Sequence, residues 1–143
     1  MQNRVFLDTS FSIAIAISRD EFHERALELA DEIETKNTEL ITTQAIILEI
    51  GNALSKLKYR QSAVGIIRGL ESDLNTSIIS LTDELYEVAF ELFRNRPDKE
   101  WGLVDCISFV VMKEQEITDA LTTDEHFTQA GFRALLRETR KIL

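Results

Sequence analysis

Apolar residues recur along the chain in two alternating rhythms. Short runs of four or five, too short for a helix, are followed by longer stretches with apolar positions three and four apart, the spacing that puts them on one helical face. Arg4 to Leu7 is such a short run and predicts a strand ending at Asp8. Ser10 to Ile17 fits either element by periodicity and is read as a helix capped by Thr9 or Ser10. Phe22 to Thr35 is a clearer helix, with Phe22, Ala26, Leu29, Ala30 and Ile33 on one side and acids between them. Glu39 to Thr42 predicts a second strand. Thr43 then caps a helix from Gln44 to Leu57, with Ile46, Ile50, Leu54 and Leu57 as its stripe. A further amphipathic helix is expected over Gln61 to Leu74, and a third strand over Ser77 to Leu81. Thr82 caps a helix from Asp83 to Phe93, and Asn95 to Gly102, which holds the lone proline Pro97, is a loop. Leu103 to Lys113 is apolar almost all round, the mark of a buried helix. Asp119 to Thr123 reads as a fourth strand, Glu125 to Gln129 as a helical turn, and Phe132 to Leu136, after the break at Gly131, as a fifth strand. Strands alternating with helices predict an α/β fold: a parallel sheet covered on both faces, in one domain spanning 1–143.

Composition changes this picture little. The chain has 143 residues, 44% hydrophobic and 29% charged, with five Gly and one Pro. That is enough chain for a core without disulfide or zinc, and too little Gly and Pro for long linkers. Cys106 is the only cysteine and sits before an apolar run, so it is expected to be a buried small hydrophobe. The first ten residues lack the basic and apolar regions of a signal peptide, and no run approaches the ~18 apolar residues of a membrane helix, so a cytoplasmic location is expected. The net charge of −9 argues against broad electrostatic gripping of nucleic acid, which rests on Lys and Arg at phosphates.

The acids are where chemistry enters. Of twenty-five, most belong on solvated surface, but four do not fit there easily. Asp8 directly follows the first strand, at the carboxyl edge where open parallel sheets bind ligands; a turn or cap aspartate is the alternative. Glu49 lies within a helix, about 60° from Ile46 and about 40° from Ala53, at the rim of the apolar stripe; a glutamate reaching out to water is the alternative. Asp105 stands among Leu103, Val104, Cys106, Ile107 and Phe109 with no solvated face beside it. Its place in a helix's first turn suits an anion, as a cap or as a ligand. Asp124 follows the fourth strand, again a ligand or a helix cap. Two carboxylates ~5 Å apart repel by about 3 kcal/mol at an effective dielectric of ~20, and a divalent cation reverses that sign. An all-oxygen donor set suits Mg²⁺ or Mn²⁺, while one Cys and two His make no zinc pattern. His126 reads as an exposed helical histidine, with substrate contact as the alternative, and Trp101 as core or interface packing. Lys56, Lys58 and Arg60 form the densest basic stretch, read as a solvated helix end or as phosphate contacts, with Tyr59 and Trp101 as conceivable base-stacking rings.

Four motifs in order resemble a known family. Asp8-Thr9-Ser10, the run from Glu49 to Leu54, the run from Leu103 to Phe109 and the run from Leu121 to Phe127 are similar to the four motifs of PIN domains, and the pattern is most like that of the VapC-like ribonuclease toxins. The resemblance spans nearly the whole chain. It implies a three-layer α/β/α fold with a four- to five-stranded parallel sheet and metal-dependent cleavage of RNA phosphodiester bonds. It implies that Asp8, Glu49, Asp105 and Asp124 form the acidic metal site, with Thr9, Ser10 and Thr122 hydrogen-bonding those acids or a metal-bound water. It also implies a homodimer, and an antitoxin partner that plugs the site with a basic side chain in a type II toxin–antitoxin pair. A haloacid-dehalogenase phosphatase needs a second Asp where Ser10 stands. A receiver domain needs paired acids after the first strand and a late Lys, and a P-loop needs its glycines; none is present. A silent, partner-binding PIN-like module, or a nuclease acting alone or on DNA, remains the competing reading.

Overall fold

In the computed structural model, residues 1–138 are described; the last five positions of the expected 1–143 domain lie outside them. The elements follow the order β1 (Arg4–Leu7), α1 (Thr9–Ala16), α2 (His23–Lys36), β2 (Glu39–Thr43), α3 (Gln44–Ala53), α4 (Leu57–Ser72), β3 (Thr76–Ile79), α5 (Asp83–Asn95), α6 (Leu103–Glu114), β4 (Asp119–Leu121), α7 (Glu125–Gln129) and β5 (Arg133–Ala134), then a short 3₁₀ turn over Leu135–Arg137.

All five strands are parallel, in the spatial order β3-β2-β1-β4-β5. The chain builds outward from β1 to β2 and β3, then returns across the sheet to add β4 and β5. Right-handed crossovers therefore put α1 to α4 on one face and α5 to α7 on the other. Contacts agree: α1 packs on α2, α3 and α4, while α6 packs on α5 and α7. The expected α/β sandwich of helices on a five-stranded parallel sheet is what forms. Its centre is β1, whose Val5, Phe6 and Leu7 are buried on both faces. Strand order reverses between β1 and β4, which opens a crevice at their carboxyl ends.

Several boundaries differ from the sequence expectation, each for a local reason. The helix expected to reach Leu57 stops at Ala53, where the Leu54 N–H closes the last turn on Ile50. Ile46, Ile50 and Leu54 are fully buried, whereas Leu57 is 90% exposed and opens α4, four residues ahead of the expected start. A chain turn at Ser55 and Lys56 lets α4 set its own face (Tyr59, Ala63, Ile66, Ile67 and Leu70) against the core. Strand β4 ends at Leu121 rather than Thr123, because Thr122 and Thr123 turn into the crevice. The fifth strand is only Arg133–Ala134, and the rest of the expected run winds into the 3₁₀ turn. The caps expected at Thr43 and Thr82 form, their hydroxyls accepting from the Ile46 and Leu85 N–H groups at 3.2 and 3.1 Å. Among the described residues no helix is long and apolar enough to cross a membrane.

Candidate active site

The carboxyl ends of β1 and β4 lie side by side, and the Asp8 N–H donates to the Leu121 carbonyl at 3.2 Å. On the other side of β1, the buried Thr42 hydroxyl donates to the Leu7 carbonyl at 2.8 Å. The backbone that carries Asp8 is thus tied to both neighbouring strands. Asp8, and not Thr9 or Ser10, occupies the N-cap position of α1, yet its side chain makes no capping bond. It is turned instead toward two hydroxyls: Thr122 Oγ1 and Ser10 Oγ reach Asp8 Oδ2 at 2.7 and 3.1 Å.

Those hydroxyls are also held by backbone donors and by each other, 3.3 Å apart. Thr122 Oγ1 accepts from the Asp124 N–H at 3.0 Å, and Ser10 Oγ accepts from the Thr123 N–H at 3.0 Å. Each hydroxyl accepts from a backbone N–H and can donate its single proton to Asp8 Oδ2. Asp8 is 7% exposed and holds no Lys, Arg or His within ion-pair distance among the described residues. Burial pushes its carboxyl up to about 6, against the lowering pull of Thr122, Thr9 and Ser10, and the charge of Asp105 pushes the same way as burial.

The other acids converge from three different elements. Glu49 sits mid-way along α3, and its Oε1 accepts from the Thr9 hydroxyl at 2.8 Å. Partial burial raises its pKa, Thr9 opposes that, and repulsion from Asp105 and Asp124 adds to the rise. Asp105 lies in the first turn of α6. Its Oδ2 accepts from the Gly102 N–H at 3.0 Å; Gly102, not Asp105, is the N-cap, and Asp105 reaches back to it from the third position of the helix. The expectation that it has no solvated side is corrected: its side chain is 20% exposed, because the first turn of α6 opens onto the crevice. Asp124 is the N-cap of α7, with Oδ1 accepting from the His126 N–H at 2.8 Å.

His126 departs from the exposed-histidine reading. Its Nδ1 lies 3.0 Å from Asp105 Oδ2 and 3.4 Å from Asp124 Oδ1. Nδ1 thus faces both carboxylates, with Asp105 the nearer partner. The signal in the sequence was its position, two residues after Asp124 in the first turn of a helix. Asn52, which lines the cleft three residues and nearly one helical turn after Glu49, was also missed, though the spacing puts both on one face.

Together Asp8, Thr9, Ser10, Ile13, Glu49, Asn52, Asp105 and Asp124 line an open cleft of about 630 Å³. All four acids picked from the sequence therefore meet, with Thr9, Ser10 and Thr122 as hydroxyl donors to two of them. At the edge of the cleft Asp105, Asp124 and His126 bring ligand-type atoms within 4.8 Å of one another. Trp101 and Cys106 lie away from this chemistry: both are buried, and Trp101 meets Phe109 edge-on at 5.1 Å.

Residues 5–133, which run from β1 to the start of the fifth strand and include all four acids, match the PIN domain family. The chain belongs to that family. As a PIN domain it is 27% identical over 128 residues to the 23S rRNA-specific endonuclease VapC20 of Mycobacterium tuberculosis, in strains CDC 1551 / Oshkosh and ATCC 25618 / H37Rv, a span that covers 90% of this chain and 95% of the relative. The crystal structure of Mycobacterium tuberculosis VapC20, a sarcin-ricin loop cleaving toxin, superposes on this PIN domain with a TM-score of 0.81 at 26% identity, over 91% of this chain and 97% of that one.

Proposed function

We propose that the chain is a divalent-metal-dependent endoribonuclease, working in the cytoplasm as the toxin of a type II toxin–antitoxin pair. The observation that carries the reading is Asp8: a buried carboxylate held by neutral hydroxyls, facing three more acids across an open cleft, with no cation among the described residues to balance it. An uncompensated buried charge costs several kcal/mol and calls for a partner. The donor set is chiefly oxygen, which suits Mg²⁺ or Mn²⁺.

Asp8, Asp105 and Asp124 would hold the ion, with Glu49 holding a second ion or orienting a water. Such an ion, when bound, supplies a nucleophile at neutral pH and stabilises charge on the phosphate. The chain's own contribution is positional. Ser10 and Thr122 fix the rotamer of Asp8, Thr9 fixes Glu49, and His126 holds the Asp105 carboxylate. The openness of the cleft admits a strand rather than enclosing a small molecule. That RNA is the polymer is supported by the relatives, whose names give 23S rRNA and the sarcin-ricin loop as target. A homodimer and an antitoxin belong to the same reading. An exposed stripe of Tyr86, Phe90 and Phe93 on α5 offers an apolar face for one of those contacts.

The test is induction of wild type and Asp105→Asn in a bacterial host, with new RNA 5′ ends mapped in both. Growth arrest and a discrete set of ends in wild type alone is the expected result. Equal, undisturbed growth with soluble protein and no new ends would overturn the toxin reading, and cleavage of DNA by the purified chain would overturn the choice of polymer.

A further inference from the structure

The charge of this chain is unevenly laid out. Sixteen Lys and Arg stand against twenty-five acids, yet from Ile50 to Leu70 there is no Asp or Glu at all. Fourteen of the sixteen cations lie among the described residues, and eight of these hold a carboxylate within salt-bridge distance: Arg4, Arg25, Lys36, Arg68 and Arg94 among them. Of the six described cations that hold none, four are Arg19, Lys56, Lys58 and Arg60. These four share one place: the turn from α3 into α4 and the chain leaving α1, two helices that pack on each other.

Tyr59 is the centre of that place. Lys58 Nζ lies 4.9 Å from its ring centroid, and Lys58 and then Arg19 hold its hydroxyl below the ordinary phenol range. Arg60 folds back over the turn, with Nη2 donating to the Ser55 carbonyl at 2.8 Å, and Lys56 caps α4. The four cations are exposed, while Tyr59 is half-buried with its body against the core. The patch also continues the cleft. Ile13, Asn52 and Ala53 line the cleft, and the same two segments run on into Arg19 and Lys56. By helical rise, Ala53 stands about 6 Å along α3 from Glu49.

We propose that this rim is the strand-binding track of the site: Arg19, Lys56, Lys58 and Arg60 take successive phosphates of an RNA strand leading into the cleft, and Tyr59 takes the face of one of its bases. The proposal rests on the ribonuclease reading above and says where its substrate lies. Cations tracking a backbone beside an aromatic platform are how single strands are held without sequence preference. An acidic protein segment would use the cations equally well, but would gain nothing from the ring or from continuity with a cluster of carboxylates. The track also resolves the conflict between a net charge of −9 and a nucleic-acid substrate. Attraction is local, and the surrounding acid repels strands that approach anywhere else.

The experiment is the salt dependence of binding of a short single-stranded RNA to the full chain carrying Asp8→Asn, which removes cleavage, with and without Lys56→Gln, Lys58→Gln and Arg60→Gln together. Each lost phosphate contact on a single strand lowers the slope of log K against log salt by about 0.7. The triple change is expected to lower the slope by about 2 and to weaken binding about tenfold or more at low salt, alike for different sequences. Lys58→Arg should bind as the parent does, and Tyr59→Leu, checked for an unchanged melting temperature, should weaken binding without altering the slope. An unchanged affinity and slope in the triple variant overturns the track and leaves the patch to an acidic protein. Binding that depends on the rim in a wild-type chain that cuts no RNA upholds the track and removes the ribonuclease reading. Cleavage by wild type, with rim variants that bind and cut equally well, removes the track alone.

Discussion

Asp8 and Asp119 are both buried aspartates at strand ends, one at the carboxyl edge of the sheet and one at the amino edge. Asp119 is 1% exposed, and the structure closes it completely: the Gln2 N–H donates to Oδ2 at 2.8 Å and Arg133 Nη1 donates to Oδ1 at 3.2 Å. Gln2 returns the favour by accepting from the Thr118 and Asp119 N–H groups, which ties the N-terminal segment to β4. Asp8 receives hydroxyls and, among the described residues, no positive charge. Both acids are taken out of water, but only one holds a countercharge among the described residues. Burial of an acid therefore does not identify a site. Burial without a countercharge among the described residues, at the ligand-binding edge, is what the proposed function rests on.

The contrast can be broken most sharply by activity. Asp8→Asn is expected to reduce RNA cleavage about a thousandfold or more with the protein still folded, whereas Asp119→Asn should leave the rate within a factor of about three. Single-turnover assays on both variants decide it, and equal losses would dissolve the distinction.

The next effect is on stability against pH. The Asp8 carboxyl goes from 3.8 when free to about 6 in the fold. Between those values the folded chain keeps a proton that the unfolded chain has lost, so stability of the metal-free protein falls as pH climbs from about 4 to about 6 and then levels. The raised Glu49 adds a fall of the same sign. The Asp8 contribution is about 3 kcal/mol at neutral pH, and Asp8→Asn should remove most of it. Urea melts at pH 4 and pH 7 measure it; stability that rises over this window would contradict the assignment of Asp8 as uncompensated.

Metal should act in the opposite direction at the same place. Mn²⁺ at about 100 times its Kd is expected to add about 2.7 kcal/mol at pH 7, and less at pH 5, where protons compete for Asp8. Asp119→Ala should leave that metal response intact while costing about 2 kcal/mol, because the Gln2 N–H and the Arg133 guanidinium lose their acceptor. The smallest expected change is at His126. His126→Gln frees the Asp105 carboxylate without removing a carboxylate, and should weaken metal binding or cleavage about tenfold. Metal titration followed by the melting temperature reads both.

Much of this was legible before any coordinates. Strand β1, the caps at Thr43 and Thr82, the buried helix α6 and the parallel sheet all follow from periodicity and capping chemistry, because each depends on residues a few positions apart. The four acids were legible as well: Asp8 and Asp124 from their place after strands, Glu49 from its place at the rim of a stripe, Asp105 from its apolar neighbours. The run of 21 positions without an acid is likewise a property of the sequence.

What needed the tertiary structure was everything that depends on which of these segments meet. No spacing says that Thr122 donates to Asp8, 114 residues away, or that His126 lies against Asp105 rather than in water. Nor does it say that Asp119 has an arginine while Asp8, among the described residues, has none. The helix boundary at Ala53 was misplaced for the same reason. Leu57 fits the apolar stripe as a pattern, but the core is already closed by Leu54, and only packing decides that. Sequence set the elements and the chemistry each carries, through interactions within a turn or a strand. The fold decided which charges are balanced, since countercharge is supplied across the sheet and not along the chain.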